Sequence, residues 1–305
     1  MLSDAIQKGV RFLVERQSGD HAWRDFALEP GESDAWVTAY VGNCLSQLPT
    51  GLTDCDETLD TAAQWLRRNM RAEGGWGYNG ECPVDSDSTA LAVLFLTARG
   101  NPVPDECYQR LLSFQKQDGG FSTFERRDPS NVWGMSHSDV GPAVLLALLT
   151  KLPKDHPAIC RGLAFSVAAL GCEGLWRSYW WTTPLYATLA NVVLLEQAGA
   201  SYARDLVVEA VRNVVLPANS FELALLGETI SILDSSDPRI PELVRILTTV
   251  QSSDGSWSAS ADILRVPDPG RRFADSTGGV AALDHHHLLT TATVLRCLSS
   301  LMKIE

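Results

Sequence analysis

The sequence predicts an all-α fold, an (α/α)6 barrel built from six helical hairpins. Three observations support this prediction. An amphipathic run, a turn and a large aromatic residue recur along the 305 residues. Each copy is followed by a second, more apolar run, and the period of roughly 40–55 residues is typical of repeat architectures. Strand signals are weak throughout.

The first run of each repeat predicts an outer helix, because its charged residues share one face and should meet water. Lys8, Arg11 and Glu15 are an example. The turns that follow end in Trp23, Trp76, Phe121, Trp176 and Trp257. Their glycines give backbone freedom, and for Trp76, Phe121 and Trp257 we expect a wedge between neighbouring hairpins. One further copy has lost its turn around Pro217.

The second run of each repeat predicts an inner helix. These runs begin at Asp34, Asp85, Asp139, Thr182, Phe221 and His287. They are rich in Ala and Leu nearly all round, and a helix that is apolar on every side is buried. Six buried and six half-exposed helices close most simply into a barrel. We expect one domain over residues 1–305.

Composition restricts the class of protein. Hydrophobic residues make up 45% of the chain, and 25 basic against 37 acidic residues give a net charge of −12. That balance argues against nucleic acid as a partner, although a small diphosphate needs only a few local cations. No apolar run reaches the roughly 18–20 residues that span a bilayer, and the N-terminus lacks the apolar centre of a signal peptide. The seven scattered cysteines show no C-x-x-C pair, so we expect a cytoplasmic protein with reduced thiols.

A short acidic turn carries the main chemical signal. Asp85-Ser86-Asp87-Ser88 leads directly into the apolar run from Thr89 to Leu96. Burial and a second carboxylate both raise the pKa of an Asp, and a helix N-terminus stabilises the carboxylate that remains after proton transfer. The turn therefore predicts an acid that protonates a hydrocarbon. The alternative is a helix N-cap, for which Asp, Ser and Thr are preferred.

Several motifs resemble those of the squalene–hopene cyclase and class II terpene cyclase superfamily. Gln251-Ser-Ser-Asp-Gly-Ser-Trp257 and Gln115-Lys-Gln-Asp-Gly-Gly-Phe121 resemble its repeat, Asp85 to Ala90 resembles its Asp-x-Asp-Asp-Thr-Ala motif, and Ser138-Asp139-Val140 resembles the element that follows. The order and spacing agree over nearly the whole chain. The chain is identified as a member of this superfamily. The resemblance implies the toroid of terpenoid cyclases and protein prenyltransferases, here as the single barrel that carries the acidic motif.

The resemblance also implies a reaction. Asp87 would be the general acid of a protonation-initiated terpene cyclase (an isomerase or intramolecular lyase of isoprenoid secondary metabolism), and Asp85 its hydrogen-bonding neighbour. The substrate would be a prenyl diphosphate or a related polyprenyl compound. Two positions depart from the family: Ser88 replaces an Asp, and Ala143 replaces the His that orients the acid in squalene-type cyclases. His137, two residues before Asp139, is the candidate to replace that His, and Asp139 itself completes the predicted catalytic set of Asp87, Asp85, His137 and Asp139.

Carbocations require aromatic walls, since a cation is attracted to the face of a ring. The densest aromatic segment, Trp176 to Trp181, matches an aromatic-rich loop of the cyclases. The predicted substrate-binding residues are Trp36, Tyr40, Trp133, Trp176, Tyr179, Trp180, Trp181 and Tyr186.

No metal site is predicted. His285, His286 and His287 are consecutive and cannot share a helix face. An Asp-Asp-x-x-Asp motif is missing, as is a convincing match to the zinc ligands of the protein prenyltransferases, so we expect no required cofactor. Mg²⁺ would enter only with a diphosphate substrate. Segment 258–286 predicts a long loop, which is either a lid with Arg271 and Arg272 as a diphosphate clamp or a plain solvated loop.

Partners and alternative functions stay open. Protonating cyclases of the family normally pair this barrel with a second one, whereas one barrel is predicted here. The expected partner is a small isoprenoid. The barrel mouth could be covered by a second cyclase-like chain, a homodimer or a peripheral membrane contact. The alternatives are an isoprenoid-binding barrel that is non-catalytic or depends on a partner, and an acid catalyst for a non-terpenoid apolar substrate.

Overall fold

The computed structural model describes residues 2–49, 54–125, 131–259, 262–268 and 279–302. Over these residues the fold is a toroid of alternating outer and inner helices, which confirms the predicted all-α class. The outer helices are α1 (Leu2–Glu15), α3 (Asp56–Arg68), α5 (Asp105–Ser113), α7 (Pro157–Ala168), α9 (Arg204–Asn213) and α11 (Ile240–Thr249). The inner helices are α2 (Ala35–Ser46), α4 (Ser86–Ala98), α6 (Gly141–Leu149), α8 (Pro184–Ala198), α10 (Ser220–Leu233) and α12 (Leu288–Met302).

The inner helices form a closed ring. Each one packs against the next, from α2 through α4, α6, α8 and α10 to α12, and α12 packs against α2. Hydrophobicity separates the two layers: α10 buries nearly all of its residues, whereas α11 buries only Leu243 and Leu247. None of the described helices is long and apolar enough to cross a bilayer.

Four tryptophans fasten the outer helices to the inner ones. The indole N–H groups of Trp23, Trp76, Trp176 and Trp257 donate to the carbonyls of Leu13, Leu66, Ser166 and Leu247, at 2.7–2.9 Å. Their backbone N–H groups donate to the hydroxyls of Thr38, Thr89, Thr188 and Thr291 on the following inner helices. Each indole is thus a buried wedge whose polar atom is satisfied. Trp176, expected to line a substrate pocket, is one of these wedges, which corrects that expectation.

The repeated Gln-x-x-Asp-Gly motif links each turn to the next outer helix. Gln115 donates to the carbonyls of Gly119 and of Ala158 on α7, and Gln251 donates in the same way to Gly255 and to Ala5 on α1. Gly255 has φ +93°, and an added Cβ would lie 2.4 Å from the carbonyl oxygen of Lys8. Only glycine fits there, and this last contact joins the end of the ring to its beginning.

Two short antiparallel hairpins lie among the helices. β1 (Asp25–Leu28) pairs with β2 (Gly31–Ser33), and β3 (Leu264–Val266) pairs with β4 (Val280–Ala282). The second hairpin lies within segment 258–286, so the prediction of a plain loop there is wrong over these residues. Backbone hydrogen bonds join it to the aromatic segment, from Arg265 N–H to the Trp180 carbonyl at 2.7 Å and from Thr182 N–H to the Ile263 carbonyl at 3.0 Å.

Candidate active site

A cavity of about 280 Å³ opens at the N-terminal ends of α2 and α4. We call it the acid cavity. It is lined by Trp36, Tyr78, Cys82, Asp85, Asp87, Ser88, Thr123, Phe124, Trp133, Trp180 and Trp181, and by Leu28, Glu29, Pro30, Leu264, Val266 and Val280 of the two hairpins. Its wall is therefore mainly apolar and aromatic, with the two carboxyl groups of the acidic turn at one side.

Asp87 lies in the first turn of α4 with its two carboxyl oxygens in different surroundings. Oδ2 accepts a 2.8 Å hydrogen bond from the indole N–H of Trp36. Oδ1 is buried and has no hydrogen-bond partner among the described residues. The pKa of Asp87 is raised to about 8, mainly by burial and in addition by the charges of Asp85 and Asp139, while the Trp36 hydrogen bond acts in the opposite direction. At neutral pH this carboxyl group keeps its proton.

Asp85 is the N-cap of α4. Its Oδ1 accepts from the backbone N–H of Ser88 at 2.7 Å, and its Oδ2 accepts from the Ser88 hydroxyl at 2.8 Å. Burial raises the pKa of Asp85 to about 7, while both Ser88 hydrogen bonds lower it. Two donors favour the carboxylate of Asp85, whereas one donor faces Asp87, so a proton shared by the pair resides preferentially on Asp87. The helix cap and the carboxyl group with the higher pKa are thus different residues of one turn.

Asp139 is a third buried carboxyl group close to this pair. Its Oδ2 accepts from the backbone N–H groups of Tyr179 and Trp180, both at 2.7 Å. Burial raises its pKa to about 6. These hydrogen bonds hold the aromatic segment in place against α6, so Asp139 positions that segment.

His137 lies apart from the acidic pair. Its Nε2 donates to the Val132 carbonyl at 3.0 Å, and its ring stacks on Tyr179 with centroids 3.8 Å apart. Burial lowers the pKa of His137 to about 3, so the ring is neutral. No hydrogen bond joins it to Asp85 or Asp87. This geometry does not support the expectation that His137 orients the acid, because its polar contact is already made to a backbone carbonyl.

The repeats place corresponding residues at one level of the barrel. In one repeat, Asp85 N–H donates to the Trp76 carbonyl at 3.0 Å, and Asp87 lies two residues after Asp85. In the next repeat, His137 N–H donates to the Phe121 carbonyl at 3.0 Å, and Asp139 lies two residues after His137. Thr38, Thr89 and Thr188 each accept from the backbone N–H of a wedge tryptophan. The residues two positions before them are Trp36, Asp87 and Tyr186. Trp36 on α2 therefore corresponds in register to Asp87 on α4. Aligning the repeats by this register would have indicated Trp36 as a neighbour of Asp87.

The aromatic walls are held by their own polar atoms. Trp180 donates its indole N–H to the Thr123 hydroxyl at 2.7 Å, and Trp133 donates to the Pro267 carbonyl at 2.9 Å. The Trp181 ring has centroid distances of 4.0 Å to Tyr186, 5.3 Å to Phe221 and 5.9 Å to Trp36. Fixed indoles beside the acidic pair can face a developing positive charge without reorganising.

The remaining predicted residues fall elsewhere. Tyr40 and Tyr186 line a second cavity of about 580 Å³, and Tyr179 lies against His137. Arg271 and Arg272 lie outside the described residues. Phe124 and the hairpin residues of the acid cavity were not predicted, because their placement depends on contacts between distant repeats.

No metal centre is formed by the part of the chain that the structure describes: it contains no group of three or more His, Cys, Asp or Glu side chains that could hold an ion. His286 of the histidine run pairs instead with Glu32, with Nε2 3.0 Å from Oε1. The backbone N–H groups of His286 and Leu288 donate to the buried carboxylate of Asp25. These contacts join the start of α12 to the first hairpin.

Known structures share this fold over its whole length. A variant of the type II terpene cyclase MstE from Scytonema, in complex with its substrate geranylgeranyl dihydroxybenzoate, superposes with a TM-score of 0.83 and 25% identity, covering 100% of this chain and 98% of that one. A protein from Actinoplanes gives a TM-score of 0.87 and 27% identity, covering 99% and 100%.

Similarity at the sequence level points the same way, although no protein-family model matches the chain. The squalene–hopene cyclase of Bradyrhizobium diazoefficiens is 26% identical over 198 residues, which covers 56% of this chain and 30% of that protein. The chain spans about a third of the length of the curated relatives it matches. The fold, the acidic turn and these relatives agree in their similarity to the squalene–hopene cyclases and class II terpene cyclases.

Proposed function

We propose that this protein is a protonation-initiated terpene cyclase that acts on a polyprenyl substrate, with Asp87 as the general acid. One observation carries the proposal: a buried carboxyl group, protonated at neutral pH, has one oxygen without a partner among the described residues and lines an aromatic cavity. A helix cap would not require this arrangement, since Asp85 already caps α4.

The first step is transfer of the Asp87 proton to a terminal alkene carbon. With Trp36 donating to Oδ2, the acidic proton is carried by Oδ1, the oxygen that has no other contact. A new C–H bond forms as the O–H bond breaks, which leaves a tertiary carbocation and the Asp87 carboxylate. The Trp36 N–H and the N-terminus of α4 stabilise that carboxylate, so the neighbours of the acid favour its conjugate base.

The cation is then attacked by the next alkene of the chain, and each attack forms a C–C bond and moves the charge inward. The faces of Trp36, Trp133, Trp180 and Trp181 surround this path. A cation over an indole gains roughly 0.5–2 kcal/mol, and an apolar wall delays capture by water. Loss of one proton to solvent ends the reaction, and solvent reprotonates Asp87. Substrate and product are isomers, and a diphosphate, if present, is retained.

The lining of the acid cavity favours a head group other than a diphosphate. None of its described lining residues is basic, and Glu29 lies among the residues of its mouth. The similar structure of an MstE variant is in complex with geranylgeranyl dihydroxybenzoate, a polyprenyl arene, which supports a substrate of this class. We therefore place a polyprenyl arene or a similar conjugate first. Diphosphate binding by Arg271 and Arg272 stays the alternative, with Mg²⁺ needed only in that case.

Incubation with three substrates tests the proposal. The purified protein is given geranylgeranyl dihydroxybenzoate, geranylgeranyl diphosphate and squalene, and products are identified by mass spectrometry. We expect a cyclic isomer of the arene conjugate, formed without a partner protein. Preference for the diphosphate, lost in an Arg271→Ala/Arg272→Ala variant, would instead support the alternative head group. No cyclic product from any of the three would contradict the proposed activity.

A further inference from the structure

The toroid contains a second cavity, at the opposite end from the acidic turn. It has a volume of about 580 Å³. Gln47, Thr97, Thr150 and Gln197, at or near the C-terminal ends of α2, α4, α6 and α8, form its polar rim, and Leu91, Leu94, Leu146, Leu189, Val193 and Leu225 form its apolar wall. A concave apolar site with a few converging polar groups is the usual form of a small-molecule site.

A buried ion pair lies in this cavity. Arg296 on α12 donates through Nε to Oε2 of Glu228 on α10 at 2.8 Å, and the two side chains are 19% and 7% exposed. Both residues line the cavity. The Arg296 Cζ lies 5.9 Å from the ring centroid of Tyr40. An ion pair with so little exposure is costly unless further hydrogen bonds or a ligand complete it.

The Arg296 guanidinium retains donor capacity. Its Nη1 is 3.9 Å from the Cys44 sulfur, a weak contact, and its Nη2 donates to no residue that the structure describes. Arginine has five N–H donors in a fixed plane, and because Arg296 lines the cavity, the donors without a described partner are available to a ligand there. Because Glu228 already neutralises the charge of Arg296, an added anion would give this buried cluster a net negative charge. An uncharged oxygen acceptor suits the free N–H groups better.

The second cavity is separated from the acid cavity by one layer of rings. Tyr186 lines the second cavity and stacks at 4.0 Å on Trp181, which lines the acid cavity. Tyr40 lines the second cavity, and its ring centroid lies 6.2 Å from that of Trp36, which lines the acid cavity. The two cavities are therefore neighbours with separate linings.

We propose that the second cavity is a distinct binding site for an uncharged amphiphile, an apolar chain or ring system with a single hydroxyl or carbonyl oxygen that accepts a hydrogen bond from Arg296. The apolar part of the ligand contacts the leucine-lined wall, and its oxygen accepts a hydrogen bond from an Arg296 N–H group that has no other described partner. The site is independent of the proton transfer at Asp87.

Calorimetric titration with 1-octanol tests the site. The wild-type chain and the Asp87→Asn variant should bind this probe alike, and Ala190→Phe, which fills the second cavity, should weaken binding at least tenfold. The matched control is Ala164→Phe on the exposed face of outer helix α7, which should bind as the wild type does. Wild-type protein that binds no 1-octanol at 1 mM, or an Ala190→Phe isotherm identical to that of the wild type, overturns the proposal.

Two further titrations test the chemistry of the ligand. The double variant Arg296→Met/Glu228→Leu removes both charges together, which buried ion pairs commonly tolerate. We expect this double variant to keep the wild-type melting temperature. It should bind 1-octanol about tenfold more weakly, which is the effect of one lost hydrogen bond. Octanoate should bind the wild type less tightly than 1-octanol. Unchanged binding in the double variant, or tighter binding of octanoate, rules out the uncharged oxygen acceptor.

Discussion

The indole N–H of Trp36 on α2 and Oδ2 of Asp87 on α4 are joined by a 2.8 Å hydrogen bond across 51 residues of sequence. The two carboxyl oxygens of Asp87 therefore differ, since Oδ2 accepts this bond and Oδ1 has no partner among the described residues. Squalene-type cyclases orient their acid with a His, and Ala143 stands at that position here. We infer that Trp36 supplies the orienting donor from the opposite neighbour in the inner ring.

Replacing Trp36 by Phe should keep an aromatic face and remove the N–H donor. Because that donor favours the carboxylate, the pKa of Asp87 should rise by about one unit, as expected for loss of a hydrogen bond to a charged group. The basic limb of the kcat profile should move to higher pH, and kcat should fall about tenfold because the proton is no longer confined to Oδ1. Trp133→Phe is the control, since its N–H contacts Pro267 and not the acid. Equal shifts in both variants would rule out the orienting role.

Ser88→Ala should reduce the preference of the shared proton for Asp87 over Asp85. The Ser88 hydroxyl donates to Asp85, and without it the pKa of Asp85 rises towards that of Asp87. Less charge on Asp85 lowers the pKa of Asp87, so the basic limb of the kcat profile should move to lower pH and kcat at pH 7 should fall several-fold. Ser86→Ala is the matched control, because its hydroxyl donates to the Ser122 carbonyl. A Ser88→Ala profile identical to that of Ser86→Ala contradicts this division of roles.

Asp87→Asn should stabilise the fold at alkaline pH. The folded-state pKa of about 8 lies above the ordinary value of 3.8, so between those pH values the folded chain holds a proton that the unfolded chain releases. The stability contributed by this group is fully present below pH 4 and is lost as pH rises towards 8. The variant should therefore be more stable than the wild type at pH 8 by about 1–3 kcal/mol, with little difference at pH 4. Chemical denaturation at both pH values measures this, and equal stability at pH 8 would count against a protonated Asp87.

Trp181 should govern how far the carbocation proceeds. Its ring faces the acid cavity and is backed by Tyr186 and Phe221. Trp181→Ala should increase the share of partly cyclised or water-captured products about tenfold, whereas Trp181→Phe should retain most of the wild-type product, as loss of roughly 1 kcal/mol of cation stabilisation implies. Trp176→Phe removes a buried indole away from the cavity and should lower the melting temperature without changing the products. An altered product ratio in Trp176→Phe would contradict this division.

The repeat structure could be predicted from sequence because each motif performs a local task. The Gln of the turn bonds its own loop, and apolar periodicity separates α10 from α11. The β3–β4 hairpin could not be predicted, since its strands have three residues each and are held by the backbone of Trp180 and Thr182.

For the site, the acidic turn was evident from spacing alone, whereas the donor to Asp87 was not. Trp36 reaches the acid only because α2 and α4 are neighbours in the ring. His137 and Trp176 were assigned to the site because they are close to it in sequence. Their side chains donate instead to the backbone carbonyls of Val132 and Ser166, and sequence does not show such contacts.

Deuterium incorporation shows whether cyclisation begins with a proton from Asp87. Wild-type protein and Asp87→Asn are incubated in D₂O with geranylgeranyl dihydroxybenzoate, and the cyclic product is examined by mass spectrometry, with Asp139→Asn as a second carboxyl variant. With wild-type protein we expect one deuterium per product molecule, at the less substituted carbon of the former terminal alkene. We expect at least a thousandfold loss of product with Asp87→Asn, and retained product with Asp139→Asn. A cyclic product without deuterium, or formed at the wild-type rate by Asp87→Asn, would contradict this role of Asp87.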